Sequence, residues 1–415
     1  MCYVGSIYRK CGRRKDLEQL ALQKAHSHQV PNLSRVVNTS EIYRVATLLL
    51  LSIVTHGQAE LERSRDLLET AISLSVDIGM NRVDEVNLCQ DKELAESWKR
   101  ICWYLYIMES ALTGDDGDLR FEPGSTFPLP CEKDASPLMT LSHFYTADFE
   151  DDSYVFSSLT YFIALVRTSR SIKRICDQSK DHLDRALVRA DALLMNWKLH
   201  LPSDKQQVFT VNGEIDEVMF QSHVLFYNLQ IYVHTSLASK MGGNHELLHR
   251  RRKHEAAEAA VSLLTLHPGL LQMSPLNIAS LSGIAMSNVC ATLYAGSDPG
   301  AEESLRLVLG VLKQLGGVWE TANLEVQALK AMIRLTYAEP GSHVQEAGAN
   351  VHPTSRADAL SGDAGGSVPD LSPSVGDSED VVGLGTYETR GSLDISLPES
   401  VTESPDDSYG FTWDF

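Results

Sequence analysis

The 415-residue chain has no Cys-x-x-Cys pair. Its seven cysteines, Cys2, Cys11, Cys89, Cys102, Cys131, Cys176 and Cys290, are odd in number and irregularly spaced. That pattern excludes a disulfide framework and points to reduced thiols of the cytosol or nucleus. It also excludes a zinc cluster built from the first residues, because Cys2 and Cys11 supply two ligands where each zinc needs four. Long hydrophobic runs are lacking too. The longest, Val45–Val54 (VATLLLLSIV), is too short to span a bilayer and reads as a buried helix. No apolar segment follows Met1; the basic stretch RKCGRRK comes instead, so no signal peptide is expected. The phosphate and nucleophile loops G-x-x-x-x-G-K, G-x-G-x-x-G and G-x-S-x-G are absent.

Positive charge is in deficit, with 36 Lys and Arg against 55 Asp and Glu, for a net charge of −19. The deficit is uneven. Residues 341–415 hold 14 acidic residues, two arginines and no lysine, a net of −12, which leaves −7 for residues 1–340. The body is therefore neither a polyanion mimic nor a basic nucleic-acid binder. Beyond Glu339-Pro340-Gly341 the chain turns to Gly, Ser, Pro, Asp and Glu. Such a segment buries too little apolar surface to offset chain entropy, and residues 341–415 are expected to be a disordered acidic tail. The tail ends in DDSYGFTWDF, where Tyr409, Phe411, Trp413 and Phe415 alternate with Asp406, Asp407 and Asp414. Repulsion between the carboxylates keeps such aromatics solvated and available to a partner's groove, the composition of an acidic activation segment. The bland alternative is that the aromatics dock on the body.

Within residues 1–340 the apolar spacing is helical throughout. Leu94, Trp98, Ile101, Leu105, Met108 and Leu112 alternate by four and three, with Trp103, Tyr104 and Ile107 on other faces, so this helix is expected to be covered nearly all round. Further helices are expected over 42–56, 60–80, 154–175, 183–197, 217–239, 254–266, 276–294, 302–315 and 319–337. The loop TGDDGDLRFEPGSTFPLPCEKD follows the Trp98 helix, and Val208–Asn212 is the one short strand candidate. The spacing predicts an all-α body of about ten helices, without a repeat of fixed period.

Several blocks resemble the regulatory domain of fungal zinc-cluster transcription factors. Trp98–Tyr106 (WKRICWYLY), with Arg100, Trp103 and Leu105, resembles the family's basic-to-aromatic "W-x-L-Y" helix, with Glu109 where Asp is usual. Glu69–Arg82, ending at Gly79, resembles "A-x-x-L-x-x-x-L-G-L-H-R", with Asn81 in place of His. Trp197–Pro202 (WKLHLP) resembles the "W-x-x-x-L-P" corner. His223–His234 resembles "H-x-x-Y-x-x-x-x-I-x-L-H-R-P", except that Thr235-Ser236 replace Arg-Pro. Glu255–Leu264 followed by Pro268 matches the next helix and loop. The resemblance covers roughly residues 1–338. It implies a nuclear regulator of a fungal gene set, acting through coactivators and responsive to a small-molecule inducer. In that family DNA is bound by a separate module of six cysteines and two zinc ions, so no cofactor is expected in this chain. Because Cys2–Tyr8 resembles an early helix of the regulatory domain, the expectation is either a truncated sequence or an adaptor that borrows its DNA contact from a partner factor.

Three further motifs need weighing. His245–His249 (HELLH) formally matches H-E-x-x-H, where two histidines would hold zinc and Glu246 would act as base. It follows Gly242-Gly243-Asn244 and runs into Arg250–Lys253, four cations that penalise a metal, and no clear third ligand follows. A zinc hydrolase is therefore the weakest reading. Arg250–Lys253 reads first as a solvated helix start, and with Arg9, Lys10 and Arg13–Lys15 it supplies two candidate nuclear import clusters. Lys99-Arg100 is expected to pair with carboxylates of a neighbouring helix. Asp115, Asp116 and Asp118 read as a polar turn, since the calcium-loop pattern is not met. His223 and His234 read as core or boundary histidines. No catalytic constellation emerges.

Overall fold

A computed structural model of the chain describes residues 7, 14–26, 39–113, 119–131, 139–146, 156–178, 182–210, 212–241, 246–294 and 299–337. Chain contacts define two units, Met1–Ser355 and Arg356–Phe415, and all described residues lie in the first. The expected boundary near residue 340 and the tail beyond it lie outside the described residues.

The described residues form thirteen α-helices. They are α1 (Arg14–His26), α2 (Thr39–Gly57), α3 (Leu61–Asp77), α4 (Val83–Leu88), α5 (Lys92–Leu112), α6 (Leu141–Thr146) and α7 (Ser158–Gln178). Then follow α8 (Leu183–Leu199), α9 (Glu217–Met241), α10 (Glu246–Thr265), α11 (Asn277–Tyr294), α12 (Pro299–Leu315) and α13 (Glu320–Tyr337). Among these residues no strand forms; the candidate at Val208–Asn212 reduces to one bridge, Phe209 with Ile215. The ten expected helices are present, and three more, α1, α4 and α6, lie in stretches where the sequence reading placed no helix. No described helix is long and apolar enough to cross a membrane.

The helices pack as a closed circuit. α2 packs on α5, α5 on α7, α7 on α9, α9 on α11, α11 on α13, and α13 returns to α2. α9 is the hub. Met219, Phe220, Val224, Phe226, Leu229, Ile231, Val233 and Leu237 bury positions all round it, and α7, α8, α10 and α11 cover them. A helix apolar on every face is stable only when enclosed in this way. α2 is similar: Val45, Leu48, Leu49, Leu51 and Val54 of the greasy run are buried. Its polar Ser52 exchanges hydroxyl-to-carbonyl hydrogen bonds of 2.8 Å with Ser64 of α3, so burial leaves neither hydroxyl unpaired.

Helix ends follow their residues. Asp91 caps α5 by accepting hydrogen bonds from the Glu93 and Leu94 amides. α3 closes through Gly79, whose φ of +78° lets the Met80 amide turn back to the Ser75 carbonyl. The circuit closes where α13 meets α2. The Gln58 side-chain amide donates to the Val318 carbonyl at 2.9 Å, and the Thr321 hydroxyl to the His56 carbonyl at 2.7 Å. Gly57 lies under Trp319 so closely that a Cβ there would stand 2.4 Å from the indole Cε3 and 2.9 Å from Pro275 Cβ. Gly57→Val is therefore expected to destabilise the body by about 1–3 kcal/mol, read as a lower urea midpoint. An unchanged midpoint would contradict this account of the closure.

Candidate functional site

Of the sequence blocks singled out above, Trp98–Tyr106 lies in α5 and Trp197–Pro202 at the end of α8, and backbone carbonyls fix their tryptophans. In α5 the Trp98 indole N–H donates to the Met80 carbonyl at 2.8 Å, and that of Trp103 to the Pro128 carbonyl at 2.9 Å. In α8 the Trp197 N–H donates to the Tyr161 carbonyl of α7 at 2.8 Å. All three rings are buried. Trp103 meets Tyr106 and Phe127 edge-on, with centroids 6.0 Å away, and Trp197 stacks on Phe226 of α9 at 5.4 Å. Leu105 is wholly buried beside them. Leu201, just past α8, is buried, while Pro202 is exposed and its carbonyl accepts the Lys205 amide.

Lys99 and Arg100 do not reach to a neighbouring helix. Both pair with Glu96 one turn back on α5, at 2.5 Å and 3.0 Å. Arg100 also donates to the Cys131 carbonyl at 2.8 Å, and Glu96 accepts the Cys131 amide. The loop approaches the start of α5 so closely that Cys131, and not a second helix, supplies the remaining partners, its carbonyl to Arg100 and its Sγ to Lys99 at 3.8 Å. Glu109 acts likewise at the other end. Buried, it accepts the Arg120 and Phe121 amides at 2.8 Å and 2.9 Å, so a carboxylate inside the body is satisfied by two N–H groups.

Next to this frame lies a cavity of about 350 Å³. α7 supplies Arg167, Arg170 and Arg174, whose spacing sets them on one face across two turns. Phe144 of α6, Tyr106 of α5 and Trp197 of α8 give it aromatic walls. Arg167 is held over the Tyr106 ring at 6.0 Å from the centroid and lies 3.1 Å from Glu122. The Phe144 ring stacks with His200 at 5.6 Å. These arginines were not singled out in the sequence. The signal was the R-x-x-R-x-x-x-R spacing that follows the apolar first half of the helix.

The HELLH segment is placed unlike a zinc site. His245 lies outside the described residues. His249 turns inward, 1% exposed, with its Nδ1 3.1 Å from Nδ1 of His234, and Glu246 is paired with Arg250 at 2.7 Å. Among the described residues no three His, Cys, Asp or Glu side chains are grouped to share a metal ion. Cys89, Cys102, Cys131, Cys176 and Cys290 are free thiols, and burial pushes the Cys102 thiol far up its range. His223 is buried, with its ring edge-on to Trp197. Asp115, Asp116 and Asp118, the first basic cluster except Arg14 and Lys15, and the tail residues Asp406, Asp407, Tyr409, Phe411, Trp413, Asp414 and Phe415 lie outside the described residues.

Residues 1–198 match the family model described as the fungal specific transcription factor domain. A relative, the C6 finger domain transcription factor iacK of Pestalotiopsis fici, is 24% identical over 358 residues, which is 78% of this chain and 52% of the relative. The chain thus spans about half the length of the curated relative it matches. No solved structure matches.

Burial first, then His249, Arg252 and Lys253, push the pKa of His234 from 6.5 down to about 4. Between those values the unfolded chain binds a proton that the folded one refuses. Stability therefore falls as pH drops through that window, by about 1.4 kcal/mol per unit for this one group. His234→Gln is expected to show a shallower loss than the parent in urea unfolding from pH 6.5 towards 4. Parallel curves would contradict the assignment.

Proposed function

We propose that this chain, which carries the regulatory domain of a fungal-specific transcription factor, regulates transcription of a gene set in the nucleus. The observation that carries the reading is the match of residues 1–198 to that domain. The relative's alignment extends it, covering 78% of this chain, enough to run beyond residue 198. The family is one of transcription factors, so the mechanism is one of interaction and not of catalysis.

In this reading DNA is contacted through a zinc-cluster module of the same protein or through a partner factor. The net charge of −7 over residues 1–340 supports that division, since DNA binding draws on an excess of Lys and Arg facing the phosphates. The helical body is the responsive part. The acidic-aromatic segment Asp406–Phe415 is the effector part, with Phe411, Trp413 and Phe415 as the residues that enter a coactivator's groove. Its sequence supports this role, because the carboxylates keep the aromatics from collapsing on one another.

The full chain fused to a heterologous DNA-binding module is expected to activate a reporter. The triple variant Phe411→Ala, Trp413→Ala, Phe415→Ala is expected to fall to background with its expression and helical circular dichroism unchanged. Retained activation would overturn the role given to the tail.

A further inference from the structure

α8 and α10 both pack on α9 and meet chiefly through it, which leaves a gap between them. The gap is a cavity of about 410 Å³, within the range of small-molecule sites. α8 lines it with Asp191, Leu194 and Met195, and α10 with Arg252, Glu255 and Ala256. Tyr227, Gln230 and His234 of α9, spaced by three and four, share one face of that helix and form the floor.

The polar groups here are not spent on one another. Glu255 is paired with Arg251 at 2.8 Å, which leaves one charge of each sign, Asp191 on α8 and Arg252 on α10. The two are near enough for Arg252 to act on the Asp191 carboxyl, yet they form no ion pair, because α9 holds their helices apart. Arg252 makes neither a hydrogen bond nor an ion pair among the described residues. The α9–α10 connection, Gly242-Gly243-Asn244-His245, contains no acidic residue. Asp191 has only Nε2 of His234, 3.9 Å away, on a ring that burial keeps neutral at neutral pH. Partial burial raises the Asp191 carboxyl above its ordinary range, and Arg252 offsets only part of that rise. The Tyr227 hydroxyl and the Gln230 amide also make no hydrogen bond among the described residues.

Opposite charges held apart around a space fit a molecule that carries both. A lone anion would be drawn to Arg252 and repelled by Asp191, and a lone cation the reverse. The guanidinium is a planar fork suited to a carboxylate, and a carboxylate suits an ammonium. The remaining walls are apolar, Leu194 and Ala256 buried and Met195 46% exposed at the rim.

We infer that this cavity binds an α-amino acid with an apolar side chain, its ammonium on Asp191, its carboxylate on Arg252 and its side chain against Leu194, Met195 and Ala256. The occupant bridges α8 and α10 directly. The inference goes beyond the regulatory reading and stands without it, because binding is a property of the purified chain.

The test uses the full chain and three probes, L-leucine, L-methionine and L-phenylalanine. The controls are 4-methylpentanoate, which lacks the ammonium, L-leucinamide, which lacks the carboxylate, and glycine, which lacks the side chain. Calorimetric titration and thermal unfolding are expected to show saturable binding and a raised Tm for at least one probe at millimolar concentration. Each control is expected to bind at least about tenfold more weakly. Asp191→Asn and Arg252→Gln are each expected to weaken binding by about tenfold or more with the unliganded Tm kept. The two variants also differ in kind. Asp191→Asn is expected to lose the preference for leucine over 4-methylpentanoate, and Arg252→Gln the preference for leucine over leucinamide, which a merely structural role would not produce. No saturable binding by any probe, equal binding of either single-charge control to the parent chain, or undiminished binding by either variant would overturn the inference.

Discussion

The body is organised by tryptophan N–H groups that reach backbone carbonyls far away in sequence. Trp98 reaches back 18 residues, Trp103 forward 25, Trp197 back 36 and Trp319 back 46. Each ring is buried, and each carbonyl belongs to a neighbouring helix or to the turn or loop beside it. A buried indole must satisfy its one donor; the carbonyls of Met80, Pro128 and Met273 lie outside the α-helices, so those three bonds settle two needs at once, while Tyr161 in the first turn of α7 offers the second lone pair of its carbonyl. Indole bonds of this kind hold the α3–α4 turn, the loop after α5, the start of α7 and the turn before α11. The rest of the circuit packs between those fixed points. The cavity of α5 to α8 exists because Trp197 holds α8 against α7 while Trp103 fixes the loop that carries Glu122.

The helices were legible in the sequence because their apolar spacing is regular and their faces are wide. Leu94 to Leu112 and the Val45–Val54 run declare themselves without tertiary information. α1, α4 and α6 did not, for physical reasons. α4 and α6 have six residues each, too few for a period to show. α1 is dominated by charged and amide side chains, so its few apolar positions make no stripe. Local chemistry also showed where chains stop: Gly79 and Asp91 act at helix ends as their residue types suggest.

What stayed hidden depended on distant contact. Nothing near Gly57 announces Trp319, 262 residues on, although their fit closes the circuit. Lys99 and Arg100 read as cations seeking a neighbouring helix, because the approach of the Cys131 backbone cannot be read from spacing. HELLH misled in the opposite way. Its spacing satisfied a motif, while its surroundings sent His249 inward against His234. The arginine row of α7 was written in the sequence, but that it lines one cavity with Phe144 and Trp197 depends on how α6 and α8 pack.

The central claim is that the helical body does not end where the family match ends: residues 199–337 complete the same core as residues 1–198, through α9 and through Trp319 against Gly57. Equilibrium unfolding of two fragments tests it most directly. Residues 1–340 are expected to unfold in one cooperative urea transition followed alike by tryptophan fluorescence and circular dichroism. Residues 1–198 alone, stripped of α9 and α13, are expected to show no cooperative transition. A cooperative transition in 1–198 with the midpoint of the longer fragment would contradict the account, because the first half would then be a domain in its own right.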